Sequence, residues 1–167
     1  MIMSNIAELI KVGIADLNLV KAPQTIITSG LGSCVGVVLY DERRQIAGLI
    51  HLMLPDSSLS RTKDFKPGKF ADTGIDKMLN MLKDHGANNR GLKAKIAGGA
   101  QMFNITSSNE MMRIGPRNVE AVQQILTDYK IPIISSDVGG NKGRTIEFSP
   151  EDSRLKIRTV HEGVTYI

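Results

Sequence analysis

Alternating apolar and polar residues predict β-strands along much of this chain. Residues 10–14 alternate as an opening strand would, and the β-branched residues 25–28 predict a second strand. Two longer apolar runs, residues 34–40 and 45–54, flank the polar residues 41–44, and this arrangement predicts a β-hairpin. The first part of the chain is therefore expected to consist mainly of strands.

Apolar residues at helical spacing predict two helices farther along. One set recurs over residues 75–82 ahead of Gly86, a residue type that often ends helices, and another recurs over residues 119–129. Further strands are predicted at 92–96, 131–136, 145–148 and 155–160. Because strands and helices interleave without a repeated unit, the pattern predicts an α/β fold with a mixed β-sheet.

Length and composition indicate a single domain, residues 1–167, with a substantial core. Of the 167 residues, 41% are hydrophobic and 23% are charged. The single cysteine excludes an internal disulfide framework and a cysteine-cluster zinc site, and it fits a reducing compartment. No signal-peptide pattern is present, and no apolar run approaches the roughly 18 residues of a membrane span. We therefore expect a cytoplasmic protein without membrane insertion.

Charge and aromatic content argue against a nucleic-acid partner. The net charge of +4 is spread along the chain rather than gathered into one basic block. The sequence has no tryptophan and only 4% aromatic residues, so side chains on which bases could stack are scarce. Acidic partners are favoured only mildly by this charge.

Cys34 is the first candidate for chemistry, because it follows a glycine-rich turn at the start of the predicted hairpin. A cysteine attacks as a thiolate, and backbone N–H groups in such a turn could lower the thiol pKa and hold an oxyanion. The simpler interpretation is that a lone cysteine in an apolar run is a small buried hydrophobe. A nearby histidine would favour the catalytic interpretation.

His51 is the candidate base. If Tyr40 pairs with Gln45 across the turn, counting along the hairpin places His51 directly opposite Cys34, with Cβ atoms about 4.5–5.5 Å apart. This register is an assumption, since a slip of one residue would place Leu52 opposite Cys34 and turn His51 to the other face. Facing the only cysteine, His51 makes catalysis as plausible as a purely structural role.

The other two histidines have simpler explanations. His85 lies where the first predicted helix ends, so an interaction with the helix dipole accounts for it, and His161 lies near the end of the sequence. Neither is expected to take part in catalysis.

Thr28 is the nearest polar residue that could orient the imidazole of His51 through its second ring nitrogen. Contact is possible if strand 25–28 lies beside strand 45–52. If strand 25–28 pairs instead with strand 34–39, Cys34 would stand between the two side chains. The sequence leaves both strand orders open, and an ordinary strand threonine is the alternative interpretation.

Six sequence blocks, in order along the chain, carry a family resemblance. They are TSGLGSC at 28–34, HLMLPDS at 51–57, PGKFAD at 67–72, KIAGGA at 95–100, IGPRN at 114–118 and DVGGN at 137–141. With these blocks the chain closely resembles the CheD-type chemoreceptor glutamine deamidases of bacterial and archaeal chemotaxis. Several separate blocks in the right order are more specific than one short motif.

The resemblance implies a fold and a set of catalytic residues. It implies a three-layer α/β sandwich akin to the deamidase toxins of the cytotoxic necrotizing factor type. Carried over by residue, it implies Cys34 as nucleophile, His51 as base and Thr28 as the orienting group. Backbone N–H groups near Gly32 and Ser33 are the candidates for stabilising the oxyanion.

The resemblance also implies the reaction and the partners. A receptor glutamine would be converted to glutamate through a thioester, and hydrolysis of a receptor glutamate methyl ester would be a natural side activity. No metal and no organic cofactor is required. The expected partners are the methyl-accepting chemoreceptors, as substrates, and a CheC-type chemotaxis phosphatase.

Four alternatives remain to be weighed against this interpretation. A dinucleotide site at Gly30-x-Gly32 is disfavoured because the residues that follow are typical of a strand and not of a helix. The glycine-rich residues 139–144 could bind an anion, but a turn between strands explains them better. A non-catalytic adaptor that binds receptors or the phosphatase is the main rival, and a general cysteine protease is a weaker one. Residues 102–105 are a candidate docking loop.

Overall fold

The computed structural model describes residues 8–102 and 113–167. Its strands are β1 Leu9–Lys11, β2 Leu17–Lys21, β3 Thr25–Leu31, β4 Val35–Asp41, β5 Ile46–Leu52, β6 Leu92–Gly98, β7 Ile133–Val138, β8 Arg144–Ser149, β9 Arg154–Thr159 and β10 Gly163–Tyr166. Its α-helices are α1 Ala71–Asp84 and α2 Ile114–Asp128. Short 3-10 turns occupy Ser57–Leu59, Pro67–Lys69 and Asn89–Gly91.

The strands form two mixed sheets. The first sheet has the order β1-β3-β8-β9-β10, and the second has the order β2-β5-β4-β6-β7. Strands β1 and β3 run parallel in the first sheet, as β6 and β7 do in the second, while the other pairs are antiparallel. The α/β class and the mixed pairing are thus confirmed, but the sequence predicted one sheet and the structure has two.

The second sheet lies between the helices and the first sheet. All residues of β4 and β5 are buried, because one face of these strands packs against α1 and α2 and the other face packs against the first sheet. Such two-sided burial explains why both strands are continuous apolar runs. The helices contribute apolar stripes to the outer core, formed by Ile75, Met78, Leu79, Leu82, Val119, Val122 and Leu126.

The hairpin of β4 and β5 is present, with a register different from the predicted one. Asp41 pairs with Ile46 and Tyr40 pairs with Ala47, so the predicted Tyr40–Gln45 pair is wrong by two positions. Gln45 lies in the turn instead, with a positive φ of 52°. The turn therefore sits farther along the chain than the polar residues alone suggested.

Two strands escaped the sequence pattern. Strand β2 has five residues and strand β10 has four, and such short segments give too few positions for alternation to stand out. The predicted helices and the remaining strands are present with shifted ends, which is the usual precision of such patterns. Within the described ranges, no helix is both long and apolar enough to cross a membrane.

Candidate active site

Cys34 lies immediately before β4 and packs into the core between the two sheets. It is 8% exposed and contacts the same apolar cluster as Val38 and Tyr40. Its carbonyl accepts a hydrogen bond of 2.8 Å from the N–H of Gly99. The thiol is therefore largely enclosed by the core between the sheets.

His51 shares that face of the second sheet, although it is not directly opposite Cys34. His51 pairs with Gly36, and the ladder ends one step farther on, at the pair of Val35 and Leu52. Because side chains alternate across a strand, an error of two positions in register leaves each side chain on its predicted face. Cys34 and His51 are consequently diagonal neighbours, offset by two residues along the hairpin.

Thr28 contacts His51 from the other sheet. Its hydroxyl oxygen lies 2.7 Å from Nδ1 of His51, and both side chains are buried. Neither strand order considered from the sequence is correct, since β3 pairs with β1 and β8 and reaches β5 only across the gap between the sheets. Stacking of the sheets, rather than strand pairing, creates this contact.

The hydrogen bonds of Thr28 decide which nitrogen of His51 carries a proton. The Thr28 hydroxyl is 2.7 Å from the carbonyl of Val12, which can only accept, so the single hydroxyl hydrogen is donated there. The hydroxyl oxygen must then accept from His51, which places a hydrogen on Nδ1 of the imidazole. In the neutral ring this leaves Nε2 as the basic nitrogen.

Nε2 of His51 is buried and has no hydrogen-bond partner among the described residues. Burial lowers the pKa of the His51 imidazole, so the ring is neutral at pH 7. A neutral imidazole with a free Nε2 can take a proton from a neighbouring thiol.

Burial also changes the acidity of the Cys34 thiol. It raises the pKa of the Cys34 thiol, and a hydrogen bond from the backbone N–H of Cys34 lowers that pKa by a smaller amount. The expectation that the glycine turn would lower the thiol pKa is therefore wrong in its net direction. Both pKa shifts favour the neutral form of the group at pH 7, the thiol of Cys34 and the imidazole of His51.

In the loop that leads to Cys34, one backbone N–H group is hydrogen-bonded to a backbone carbonyl and two are not. The N–H of Gly32 is already engaged, since it lies 3.1 Å from the carbonyl of Gly30. The N–H groups of Ser33 and Cys34 donate to no backbone carbonyl within residues 8–102 and 113–167. Of the two predicted oxyanion candidates, the geometry favours Ser33, together with Cys34 itself.

Asn118 is a residue of the site that sequence reasoning did not single out. It lies on α2 with no exposed surface, and its amide nitrogen donates to the carbonyls of Ser33, at 3.0 Å, and Met53, at 2.9 Å. A polar residue among the apolar positions of this helix was the available signal.

The remaining candidates have structural roles. His85 follows the last residue of α1, where its Nδ1 lies 2.8 Å from the carbonyl of Met81. The strand β4 follows the Gly30-x-Gly32 turn, so the helix that a dinucleotide fingerprint requires is absent there.

Of the other loops, residues 139–143 connect β7 to β8, as expected of a turn. Met102 is 46% exposed and its side chain covers Gly32, while residues 103–105 of the candidate docking loop lie outside the described ranges.

Comparison with known sequences gives a consistent result. A family model described as CheD chemotactic sensory transduction matches residues 53–159. The chain is 58% identical over 156 residues to the chemoreceptor glutamine deamidase CheD of Halalkalibacterium halodurans, covering 93% of this chain and 96% of that protein. It is 54% identical over 157 residues to the protein of the same name from Bacillus subtilis, covering 94% and 95%. The corresponding Bacillus licheniformis protein is 52% identical over 166 residues, covering 99% of both chains.

Comparison with solved structures identifies a more distant likeness. The crystal structure of the Bacillus licheniformis hypothetical protein YfiH matches with a TM-score of 0.50 and 17% sequence identity. The match covers 75% of this chain and 51% of that chain. At this level of identity the likeness concerns the fold alone.

Proposed function

The chain belongs to the CheD family, and we propose on that basis that it is a chemoreceptor glutamine deamidase, which converts receptor glutamines to glutamate. The observation that carries the mechanism is the hydrogen bond between Thr28 and Nδ1 of His51, next to the only cysteine of the chain. This bond fixes the imidazole as a base whose free nitrogen is Nε2. Cys34 is the nucleophile that this base serves.

Acylation follows from these assignments. Nε2 of His51 takes the thiol proton while Sγ of Cys34 attacks the side-chain amide carbon of the substrate glutamine. The carbonyl oxygen becomes an oxyanion, and the N–H groups of Ser33 and Cys34 stabilise it. When the C–N bond breaks, the proton on Nε2 passes to the departing nitrogen. Ammonia leaves, and a thioester joins the substrate to Cys34.

In deacylation, water is the attacking group and the thiol of Cys34 is the leaving group. His51 takes a proton from water as the water oxygen attacks the thioester carbon. The proton then returns to the departing sulfur of Cys34, which releases glutamate and restores the enzyme. A glutamate methyl ester enters the same cycle with methanol as its leaving group, so we include receptor methyl-ester hydrolysis as a second activity.

The resemblance to the family supports four further parts of the proposal. We place the protein in the cytoplasm, as a single domain over residues 1–167, with a CheC-type phosphatase as an additional partner. We also retain the likeness of its fold to deamidase toxins of the cytotoxic necrotizing factor type. The arrangement of two sheets and a helical layer is compatible with that likeness.

Mass spectrometry of receptor fragments tests the function. Purified protein is incubated with chemoreceptor cytoplasmic fragments, and glutamine-to-glutamate conversion is compared for the native protein, Cys34→Ala, His51→Ala and His85→Ala. We expect conversion by the native protein and by His85→Ala, since His85 lies outside the site. Rapid quenching should also reveal a thioester on Cys34 in the native protein.

The same assay separates the alternatives. Equal conversion by Cys34→Ala and native protein would contradict the mechanism. If no form converts glutamine while all bind the receptor or the phosphatase, the adaptor function is correct. Casein cleavage that depends on Cys34 would instead indicate a general cysteine protease.

A further inference from the structure

Resting on the proposed deamidase function, we propose that Asn118 is a positioning residue that aims the backbone N–H of Cys34 at the oxyanion of the substrate. Asn118 does not touch the reacting atoms in this scheme. It acts by holding the peptide group between Ser33 and Cys34 in one orientation.

Both hydrogens of the Asn118 side-chain amide are donated in hydrogen bonds. Its nitrogen lies 3.0 Å from the carbonyl oxygen of Ser33 and 2.9 Å from that of Met53, so its two hydrogens have separate acceptors. The residue has no exposed surface, so water does not compete for these bonds. An amide held at both hydrogens has little freedom to rotate.

The orientation of the Cys34 N–H follows from peptide geometry. In a trans peptide the carbonyl of one residue and the N–H of the next point in opposite directions. The Ser33 carbonyl points to Asn118, so the Cys34 N–H points away from α2. The backbone N–H of Cys34 also lowers the pKa of its own thiol, in keeping with this orientation.

A second anchor acts on the preceding peptide. The N–H of Ala100 donates to the carbonyl of Gly32 at 2.8 Å. By the same geometry, the N–H of Ser33 points away from Ala100. Each candidate oxyanion donor is therefore oriented through the carbonyl of its own peptide group. The Ser33 N–H is oriented by the N–H of Ala100 bound to the Gly32 carbonyl, and the Cys34 N–H by the side chain of Asn118 bound to the Ser33 carbonyl.

Asn118 also links the nucleophile to the base. The β4–β5 ladder stops at the pair of Val35 and Leu52, and the residues just beyond it include Ser33 on one side and Met53 on the other. The side-chain amide of Asn118 donates to the carbonyls of Ser33 and Met53, beyond the point where β4 and β5 stop pairing with each other. It thus ties the Cys34 loop to the segment that follows His51, and α2 fixes this link.

The experiment compares Asn118→Leu, which keeps similar bulk but cannot donate, with Val122→Ala, a buried change on the same helix that removes no hydrogen bond. Three quantities are measured: kcat and KM for receptor deamidation, and the rate of Cys34 alkylation by iodoacetamide. Alkylation forms no oxyanion, so it reports thiol reactivity alone. Asn118→Ala repeats the test without added bulk if the leucine variant does not fold.

We expect Asn118→Leu to lower kcat by about 10²-fold with KM changed by less than about 3-fold, as for loss of an oxyanion donor. Its alkylation rate should stay within about 3-fold of native, and Val122→Ala should retain kcat to a similar factor. Native kcat in both Asn118 variants, or a parallel fall of kcat and alkylation, would overturn the inference. Absence of conversion by the native protein would instead overturn the proposed function, and this inference with it.

Discussion

Thr28 shows how one neutral hydroxyl can select the tautomer of a buried histidine, His51. Its single hydrogen is committed to the carbonyl of Val12, so its oxygen accepts from Nδ1 of His51. A carboxylate in this position would also stabilise the imidazolium, whereas a hydroxyl mainly orients the ring. In the proposed mechanism, His51 therefore relies on the orientation that Thr28 gives it, with little electrostatic stabilisation of its protonated form.

Thr28→Val should separate this orienting role from packing. Valine has a similar shape but cannot accept from Nδ1, so we expect kcat for deamidation to fall by about 10-fold to 100-fold. Thr28→Ser keeps the hydroxyl and should stay within about 3-fold of native activity. Steady-state kinetics on receptor fragments measure both variants. Equal activity of Thr28→Val and native protein would contradict the assigned tautomer.

The acid side of the pH profile should report His51. Only the neutral imidazole can accept the thiol proton, and burial lowers the pKa of His51, so kcat/KM should persist below the pH at which an ordinary histidine protonates. Stability has the same sign: the contribution of neutral His51 is complete above the unfolded pKa, and it is lost as pH falls through the folded pKa. Kinetic profiles and urea unfolding at several pH values measure the two effects.

The protonation state of Cys34 can be measured directly, which tests whether Cys34 and His51 are both neutral before substrate binds. Burial raises the pKa of Cys34, so the ultraviolet absorbance of a thiolate should be missing at neutral pH and should appear only in alkaline solution. Cys34→Ser provides the baseline. A thiolate signal at neutral pH would show that an ion pair exists before substrate binds.

Sequence reasoning placed Cys34 and His51 on one face of the hairpin despite an error in register. Cys34 and His51 remain on one face after a shift of two positions, because the side chains of a strand alternate with a period of two. The partner of Thr28 could not be deduced, since no local pattern reveals that β3 belongs to a second sheet. Asn118 was missed because its acceptors, Ser33 and Met53, are far from it in sequence.

Among the secondary-structure elements, the end of β6 is fitted closely to the active-site loop. Gly98 has a φ of +107°, and a Cβ there would collide with the backbone carbonyl of Cys34. The turn after β6 packs equally closely against α2. A Cβ at Gly99 would collide with the side chain of Val119, and a Cβ at Gly115 would collide with the carbonyl of Ala100. Small residues thus allow β6, α2 and the nucleophile loop to meet.

Gly98→Ala should disturb this junction. The added methyl meets backbone, which cannot move aside cheaply, and the positive φ is unfavourable for alanine, so we expect a loss of about 1–3 kcal/mol in the free energy of unfolding. Deamidation should also fall, because the displaced Cys34 carbonyl shifts the nucleophile. Urea unfolding and receptor deamidation measure the two effects.

Gly91→Ala is the matched control, since a Cβ at Gly91 meets nothing within 4 Å. It should leave both quantities near native. If Gly98→Ala behaved in the same way, close packing at the end of β6 would not constrain Cys34.

Over the whole molecule, Lys95 connects the two sheets. It lies on β6 in the second sheet and is 8% exposed, yet its ammonium donates to the carbonyl of Ser153 in the β8–β9 turn of the first sheet. It also donates to the carbonyl of Ile167 at 3.0 Å and lies 5.7 Å from the ring centre of Tyr40. Burial lowers the pKa of Lys95, because removing the ammonium from water disfavours its charged form.

Lys95→Met should destabilise the protein without changing its chemistry. The buried carbonyl of Ser153 loses its charged donor, and an unpaired buried acceptor costs about 1–3 kcal/mol, whereas the main-chain oxygen of Ile167 still accepts from the N–H of Leu155. Lys93→Met is the control, because Lys93 lies on the same strand but forms an exposed salt bridge with Glu42, worth about 1 kcal/mol or less. Urea unfolding should rank the variants, while kcat of the folded fraction stays within about 2-fold of native. Equal stability of the two variants would contradict a connecting role for Lys95.

The fold as a whole was only partly accessible from the pattern of residues. Helices α1 and α2 and the β4–β5 hairpin depend on local periodicity, and each was predicted near its observed place. The division of the strands into two sheets depends on contacts such as Lys95 with Ser153, between residues far apart in sequence. Hydrophobic alternation states which side of a strand is buried but not which strand covers it.

The division of the site between the layers has one more consequence. His51 belongs to one sheet and Cys34 precedes a strand of that sheet, while Thr28 belongs to the other sheet and Val12 follows one of its strands, so the proton arrangement of the imidazole depends on the spacing of two stacked layers. A small molecule that separates the layers would leave the thiol of Cys34 and the imidazole of His51 chemically intact. It would nevertheless free the ring to tautomerise or turn, and so inhibit the enzyme without competing with substrate.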